Sequence, residues 1–326
     1  MFVTFDQRAS TLDARTYDAA GAFLVSELER LDQTLHEPIA SVSWGRDIDV
    51  RDDVTIGDEA SSFMNLTFAA PGGIQPTGKN WAAKNSTAIT GIAADVQKTV
   101  NPLELWATEV AYTIPELMSS QQVGRPIDAQ KYNGMRLKYN MDIDEQVYVG
   151  DAQMGVFGLT NNPGVATMNV GNGAAGTPGW ATKTPAEILG DVNALLSAAW
   201  AASGFAFVPT KILLPPLQFG YIVQQVNSQA GNVSILEYLK KNSLASAQNG
   251  RDLEIVPVKW LTGRGVGGTN RMVAYTQDKD RVRIPLTPLL NTPLQYQGIH
   301  LQTYYYCRLG VVEFTNKELA AYADGI

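Results

Sequence analysis

The longest regular spacing of apolar residues lies between Pro126 and Val165. Apolar side chains recur there at steps of three and four, on one face of an α-helix, and they are Tyr132, Met135, Tyr139, Ile143 and Val147. Pro126 suits the first helical position, where its missing N–H costs nothing, and Gly150-Asp151 ends the pattern. The spacing predicts one amphipathic helix on the order of 30 Å long, with the charge pairs Asp128/Lys131 and Lys138/Asp142 on its polar side.

A second amphipathic helix is predicted to begin at Tyr17 and to end before Pro38, after residues 1–16 that show no period and are expected to form an extended arm. Its apolar stripe is Ala20, Leu24, Leu28, Leu31 and Leu35. Such a stripe must pack against the chain's own core or a neighbour. A membrane surface is the weaker alternative, because the acidic polar face would be repelled by anionic lipid.

Residues 41–70 show two segments that alternate with a period of two, as in strands with one polar face. In the first, Ile48 and Val50 alternate with charged residues, which are Asp47, Asp49 and Arg51. In the second, Met64, Leu66 and Phe68 alternate with Asn65 and Thr67. The acidic link Asp52–Ser62 joins them, so the pattern predicts a long hairpin with its tip in this link.

The remaining patterns predict a mixed α and β chain. A strand at Leu103–Ile114 precedes a helix that starts near Pro115, and Thr184 is expected to cap a helix that ends near Ser203. A compact α/β segment follows, with strands at Lys211–Leu214 and Leu253–Leu261, helices at Leu217–Val226 and Ser234–Leu239, and Arg271–Tyr275 pairing with the 253–261 strand. The tail is rich in strands, at Asp278–Pro285 and Ile299–Phe314.

Composition narrows the classes of function. The chain has 326 residues, of which 45% are hydrophobic and only 17% charged, with a net charge of −7. Scarce charge favours a surface that partners cover. A protein that grips phosphates usually has a basic excess, so any nucleic acid is expected to be enclosed without sequence-specific binding.

Candidate chemistry is sparse. Cys307, His36 and His300 are the only Cys and His residues, too few for a typical zinc site or a Cys/His nucleophile pair, and no cofactor is predicted. The glycine loop Gly263–Gly268 is expected to join two strands, as a hairpin tip or as a loop around a symmetry axis. Carboxylate pairs such as Asp142/Asp144 and Asp47/Asp49 could do acid–base work, but solvated charge is the simpler interpretation. No signal peptide and no apolar run of about 20 residues is seen, so the sequence predicts a cytosolic protein when made.

The order of these elements resembles the major capsid proteins of tailed bacteriophages with the Hong Kong 97-type fold, in the branch with a short N-terminal arm and no fused scaffold. The residues that carry the resemblance are Ala22–Leu35, Tyr112–Leu117, Pro126–Asp128, Gly150-Asp151 and Gly158-Leu159-Thr160-Asn161-Asn162-Pro163.

The resemblance implies an α+β protomer in four parts. These are an N-terminal arm (1–40), an extended hairpin or E-loop (41–111), a peripheral domain with the long spine helix (112–180 and 277–326), and an inserted α/β axial domain (181–276). It implies self-assembly into hexamers and pentamers of an icosahedral virion shell around double-stranded DNA, made in the bacterial cytoplasm, with scaffolding, portal and decoration proteins as possible separate partners and no membrane. Candidate intersubunit contacts are Leu24, Leu28, Leu31, Arg46, Asp47, Asp49, Arg51, Arg125, Lys131, Arg264, Arg281 and Arg283.

Some family members join neighbours by a Lys–Asn isopeptide bond whose lysine lies on the E-loop. Here the first lysine is Lys79, past the expected hairpin tip, so no such crosslink is expected. Two alternatives stay open: an encapsulin-like compartment shell that encloses cargo enzymes, and a soluble α/β enzyme.

Overall fold

The structure is a computed structural model that describes residues 40–69, 84, 91–123, 127–227 and 231–326. The chain divides into two units, Met1–Ser41 and Val42–Ile326, and all the described helices and strands belong to the second unit. The predicted arm helix, with Leu24, Leu28 and Leu31, lies outside the described residues, as does Arg125.

The helices predicted within the described residues are confirmed, and this part of the chain adds two short ones. Helices of this part are α1 Trp44–Asp47, α2 Ile114–Val123, α3 Ile127–Tyr148, α4 Pro185–Ala202, α5 Pro216–Gln224, α6 Ile235–Asn242 and α7 Leu244–Asn249. The long helix α3 has 22 residues and buries Met135, Ile143 and Val147 of the predicted stripe. Helix α4 starts with a capping box, in which Thr184 and Glu187 satisfy each other's backbone N–H groups.

A five-stranded sheet lies at the centre of the α/β segment. Its strands, in spatial order, are β5 Ala166–Asn169, β16 Ala320–Asp324, β10 Arg271–Tyr275, β6 Lys211–Leu214 and β9 Glu254–Pro257. The predicted pairing of β10 with β9 is wrong, because β10 lies antiparallel between β6 and β16. β6 is therefore the strand that separates β10 from β9, and β5 and β16 join this sheet from outside the expected axial range.

Both faces of this sheet are covered. In β6 all four residues are buried, and successive side chains point to opposite faces. Ile212 and Leu214 enter one apolar cluster with α4, while Leu213 enters a second cluster with Val147 of α3. A buried run without alternation is typical of a strand covered on both sides.

A second sheet packs against α3. Its main strands are β4 Glu104–Thr113 and β14 His300–Leu309, which pair antiparallel along ten residues each, and β14 also pairs with β12 Leu290–Asn291 and β13 Gln295–Gln297. Trp106 of β4 meets Tyr139 of α3 edge to face, with ring centroids 5.1 Å apart. A short ribbon elsewhere joins β7 Val226–Asn227 to β8 Val233–Ser234.

The hairpin differs from the expectation. β2 Ala60–Ala69 pairs antiparallel with β3 Ala93–Pro102, whereas β1 Asp49–Arg51 joins a three-stranded sheet with β11 Val282–Pro285 and β15 Glu313–Phe314. The predicted pairing of the 48–51 segment with 64–68 is therefore wrong, because alternation shows which face a residue takes but not which strand lies beside it. The link between the hairpin strands is 70–92, and not Asp52–Ser62.

Candidate assembly interface

One face of the β2–β3 hairpin is apolar and uncovered. Residues directly opposite each other on paired strands share a face, and the register places Leu66 opposite Val96 and Met64 opposite Lys98. The large apolar side chains of this face keep more than half of their surface exposed, at Met64 70%, Leu66 53%, Phe68 69%, Val96 56% and Val100 57%. This face, called here the hairpin's apolar face, is bare within one copy of the chain.

The opposite face of the hairpin is polar apart from Phe63, which is half-buried, and it touches the rest of the protomer near its base. Asn65 donates a hydrogen bond of 2.8 Å to the carbonyl of Thr315, while Thr67, Asp95 and Gln97 are exposed. The predicted alternation of 64–68 is therefore confirmed, and the apolar side faces away from the chain's own core.

Glu313 holds the base of the hairpin. Its carboxylate is buried and accepts hydrogen bonds from Ser61 of β2 and from Arg283 Nε at 2.9 Å, with Arg51 Nη1 3.5 Å away. Arg51 also donates to Asp53 at 2.6 Å. Because Ser61 and the two arginines all lie against one buried carboxylate, Glu313 joins β1, β2 and β11 at this point.

A second buried carboxylate, Asp144 of α3, holds the segment that leads into the hairpin. It accepts hydrogen bonds from the backbone N–H groups of Ser43 and Trp44 at 2.8 and 3.0 Å and from Trp260 Nε1 at 2.7 Å. Ser43 makes no side-chain cap of its own for α1. Asp144 thus supplies, from a residue 100 positions away, the acceptor that a helix N-terminus needs.

Asp47 and Lys211 form a buried ion pair beside this carboxylate, with 3.1 Å between Lys211 Nζ and Asp47 Oδ1. Arg46 donates to Asp47 through Nε at 2.7 Å, and this bond raises the pKa of Arg46. The Tyr148 hydroxyl also donates to Asp47. Burial raises the pKa of Tyr148 above its ordinary value and the neighbouring Asp47 raises it further, so the phenol stays a donor.

The turn after α3 closes the end of that helix. Gly150 has φ of 71°, a conformation that favours glycine. Thr160 Oγ1 donates to the Tyr148 carbonyl at 2.6 Å and Asn161 Nδ2 to the Val149 carbonyl at 2.7 Å. Polar side chains of the Gly-Leu-Thr-Asn-Asn-Pro segment therefore satisfy carbonyls that a helix end leaves free.

A third charged cluster ties this turn to the five-stranded sheet. Arg271 of β10 donates to both carboxylate oxygens of buried Asp324 at 2.7 and 2.9 Å, and its Nη1 donates to the Thr160 carbonyl at 2.8 Å. Asp324 also accepts from the backbone N–H of Val266, in the glycine loop 263–268. The loop joins β9 to β10, which are not neighbours in the sheet, so it is not a hairpin tip.

The structure describes eight of the candidate contact residues. Arg46, Asp47, Arg51 and Arg283 contact partners inside the protomer, in the Asp47 and Glu313 clusters. The others are Asp49, half-buried in β1; Lys131, 2.8 Å from Glu116 and not paired with Asp128; Arg264, exposed in the glycine loop; and Arg281, whose guanidinium stacks on the Phe207 ring at 3.9 Å.

The interpretation of Asp47 and Asp144 as solvated charge is wrong, since both are fully buried. Sequence reasoning also missed Lys211, Glu313 and Asp324. Each of the three lies in a strand among apolar neighbours, and a charge inside such a run is the only sign that the sequence offers. Reasoning from sequence patterns assigns charged residues to the surface. It therefore does not predict buried ion pairs that join distant segments of the chain.

Metal-ligating side chains and the single cysteine are the candidates for small-molecule chemistry in the sequence. Among the described residues, no group of three or more His, Cys, Asp or Glu side chains is placed to hold a metal ion. Cys307 is buried, and burial raises the pKa of its thiol to about 11. None of the helices in the described ranges is long and apolar enough to cross a membrane.

Comparison with known proteins identifies the family of the chain. The family model of the major capsid protein matches residues 78–326. The chain belongs to the major capsid protein family. No curated protein sequence matches it.

Solved structures show that this capsid protein has the Hong Kong 97-type fold. The capsid of Myoviridae phage XM1 superposes with a TM-score of 0.76 at 16% identity, over 94% of this chain and 99% of that one. The capsid of an empty GTA particle gives 0.59 at 16% identity, over 96% and 99%. A virus-like particle from Pyrococcus furiosus gives 0.51 at 11% identity, over 86% and 91%. The expected α+β capsid fold is thereby confirmed.

The corrected hairpin changes the argument about covalent crosslinks. Lys79 and Lys84 both fall in the 70–92 link between the paired strands, and Lys84 is exposed. The premise that Lys79 lies past the hairpin tip is wrong. The expectation that no isopeptide crosslink forms therefore loses its support from lysine position.

Proposed function

We propose that this capsid protein assembles through its hairpin into hexamers and pentamers of an icosahedral virion shell that encloses double-stranded DNA. The observation that carries the proposal is the hairpin's apolar face. Ten-residue strands reach about 33 Å, and a monomer gains nothing by exposing five large apolar side chains on such a projection. Covering them with a neighbouring copy would contribute about 1.5–3 kcal/mol for each side chain fully buried.

The net charge of −7 supports enclosure of DNA rather than binding to it, because like charge lets the polymer move along the wall. In this proposal the protein has a structural role and no catalytic one. Assembly takes place in the host cytoplasm, with scaffolding, portal and decoration proteins as candidate further partners.

The first test is electron microscopy of the expressed protein and of the variant Leu66→Thr/Val96→Thr. Threonine keeps strand propensity but removes apolar area from a cross-strand pair. We expect closed shells from the natural chain, and folded protomers with few or no shells from the variant. The matched control is Asp95→Thr, on the polar face of the same hairpin, which should still form shells.

Two results would contradict the proposal: a stable monomer from the natural chain, or normal shells from Leu66→Thr/Val96→Thr. The encapsulin-like alternative is less favoured, because the family match is to major capsid proteins. Particles that contain cargo enzymes and no genome would support it instead.

A further inference from the structure

Residues 43–53, which carry α1 and β1, lie between α3 and the five-stranded sheet. From α3, Asp144 accepts two backbone N–H groups of this segment at 2.8 and 3.0 Å. From the sheet, Lys211 Nζ donates to the Arg46 carbonyl at 3.0 Å. This segment is called here the latch, and the described residues from 54 onward are called the body.

The latch charges Asp47 and Arg51 meet a buried opposite charge of the body, and each also has a partner within the latch. Asp47 lies 3.1 Å from the buried lysine of β6, and it also accepts from Arg46 Nε at 2.7 Å and Nη2 at 2.8 Å. Arg51 Nη1 lies 3.5 Å from Glu313, and its Nε donates to Asp53 at 2.6 Å. Both charges would therefore leave the body with a counter-ion already in place.

Lys211 is a buried cation of the body, and it has acceptors on both sides. On the latch it meets Asp47 and the Arg46 carbonyl. On the body its Nζ donates to Gln277 Oε1 at 2.8 Å and lies 3.0 Å from Glu254 Oε1. The Glu254 side chain is 52% exposed, so this second ion pair already reaches water. An open latch would leave Lys211 paired.

Two buried carboxylates of the body have the same property. Glu313 accepts from Arg283 Nε at 2.9 Å, and Asp144 accepts from Trp260 Nε1 at 2.7 Å. Both donors belong to the body and stay in place when the latch leaves. Opening therefore avoids an unpaired buried charge, which is the main cost of breaking a buried ion pair.

Apolar burial holds the latch only in part. Ile48 is buried in the cluster that contains Val147, while Trp44 and Val50 pack against that cluster partly buried. Strand β1 pairs with β11 through three residues and lies at the edge of its sheet. Segments with few buried apolar contacts open more readily than the core.

We propose that residues 43–53 open and close as one unit while the body stays folded, so that the protomer contains a conformational switch. Bonds across the joint stabilise the closed form, and the partners kept on each side stabilise the open form. Opening would free the β11 edge and remove Arg51 from the Glu313 cluster, with Ser61 of the hairpin still bonded to Glu313. The switch belongs to the single protomer, so its test is independent of shell formation.

Hydrogen exchange followed by mass spectrometry tests the latch on full-length protomers that are too dilute to assemble. Backbone amides of the latch should exchange about a hundredfold faster than those of β6 and β10, because opening needs no unfolding of the core. Urea below the unfolding transition should change latch exchange little, since a local opening exposes little surface. Exchange of the latch at the same rate as β6 would overturn the proposal.

A variant within the latch tests whether it opens as one unit. Asp47→Asn removes the charge that faces Lys211, and it should speed exchange about tenfold along the whole latch, as far as the amide of Arg51. The matched control Asp49→Asn makes the same change two residues away, outside the contacts described above, and should leave latch exchange unchanged. Acceleration confined to the residues beside Asp47 would overturn the single unit.

A variant within the body separates latch opening from unfolding of the whole protomer. Thr184→Ala removes the helix cap of α4, and it should speed exchange of β6 about fivefold, because that exchange requires global unfolding. Latch exchange should not change, since α4 stays folded in both the open and the closed form. Equal acceleration of the latch and of β6 by Thr184→Ala would show that the latch opens only with the rest of the chain, and would overturn the proposal.

Discussion

Replacing Asp144 by Asn should destabilise the protomer far more than its small change in shape implies. The buried carboxylate accepts the backbone N–H groups of Ser43 and Trp44 on one oxygen and Trp260 Nε1 on the other. Asparagine offers one oxygen and one NH₂ group. If the amide oxygen faces the N–H groups of Ser43 and Trp44, the NH₂ group faces the Trp260 N–H, and two donors oppose each other. In the flipped orientation the NH₂ group faces the two backbone N–H groups instead.

The expected cost follows from these contacts. Hydrogen bonds to a charged group contribute about 1.5–3 kcal/mol and neutral ones about 1 kcal/mol, so two bonds lose about 0.5–1 kcal/mol each. The lost third bond and the opposed donors add about 2 kcal/mol. The free energy of unfolding should therefore fall by about 3–4 kcal/mol, which is two or more orders of magnitude in the folding equilibrium.

Asp142→Asn is the control on the same helix. It loses an ion pair with Lys138, whose side chain is 67% exposed, and its amide oxygen can still accept from Trp106 Nε1. Such a surface pair contributes about 0.5 kcal/mol, so this variant should lose less than about 1 kcal/mol.

Urea unfolding followed by tryptophan fluorescence measures both variants at protein concentrations too low for assembly, because assembly would add its own stabilisation. The cycle is completed with Trp260→Phe, which removes the donor that opposes the new amide. In the Asp144→Asn background this change should cost less than it does alone. Equal losses for Asp144→Asn and Asp142→Asn would refute the role given to the buried carboxylate.

Two further predictions use the same structure. Gly150→Ala should lower the free energy of unfolding by about 2–4 kcal/mol, because a Cβ would meet the backbone of Val156 and Phe157 and the φ is positive. The control Gly155→Ala, where φ is also positive but the space is open, should lower it by about 1 kcal/mol. Equal losses in urea unfolding would contradict the steric argument. Cys307 should resist thiol reagents at pH 8 in the folded protein, because burial raises its pKa to about 11 and keeps it as the unreactive thiol. Labelling in urea should be complete. Rapid labelling without urea would contradict the burial of this side chain.

Much of the fold follows from local periodicity. Helix α3, the capping box at Thr184 and the strands β4 and β14 are all predictable, because helix and strand spacing, caps and stops are properties of neighbouring residues. The Gly-Leu-Thr-Asn-Asn-Pro segment marks the end of α3, although the hydrogen bonds from Thr160 and Asn161 that close it depend on the folded turn.

Strand partners are the part that local patterns cannot supply. Ile48 and Val50 alternate with polar residues as strand residues should, but the parallel partner of β1 is β11, far along the chain at Val282–Pro285. A Gly/Pro-rich link looks like an ordinary loop whether it connects two elements or forms a hairpin tip, so nothing local marks 70–92 as the tip. The buried carboxylates are hidden for a similar reason, because their partners lie in distant segments.

Polar bonds and apolar burial have different roles at the hairpin: the polar bonds position it, and the apolar area supplies binding free energy. Ion pairs and hydrogen bonds are directional, and the ones at Glu313 and Asp144 gather at the base and in the segment that leads into it. There they fix the residues at which the hairpin leaves the protomer. Apolar burial has no direction and scales with area, and it is concentrated on the outer face. A hairpin that its own protomer already positions loses less conformational entropy when it binds a neighbour. More of the free energy of apolar burial then contributes to assembly.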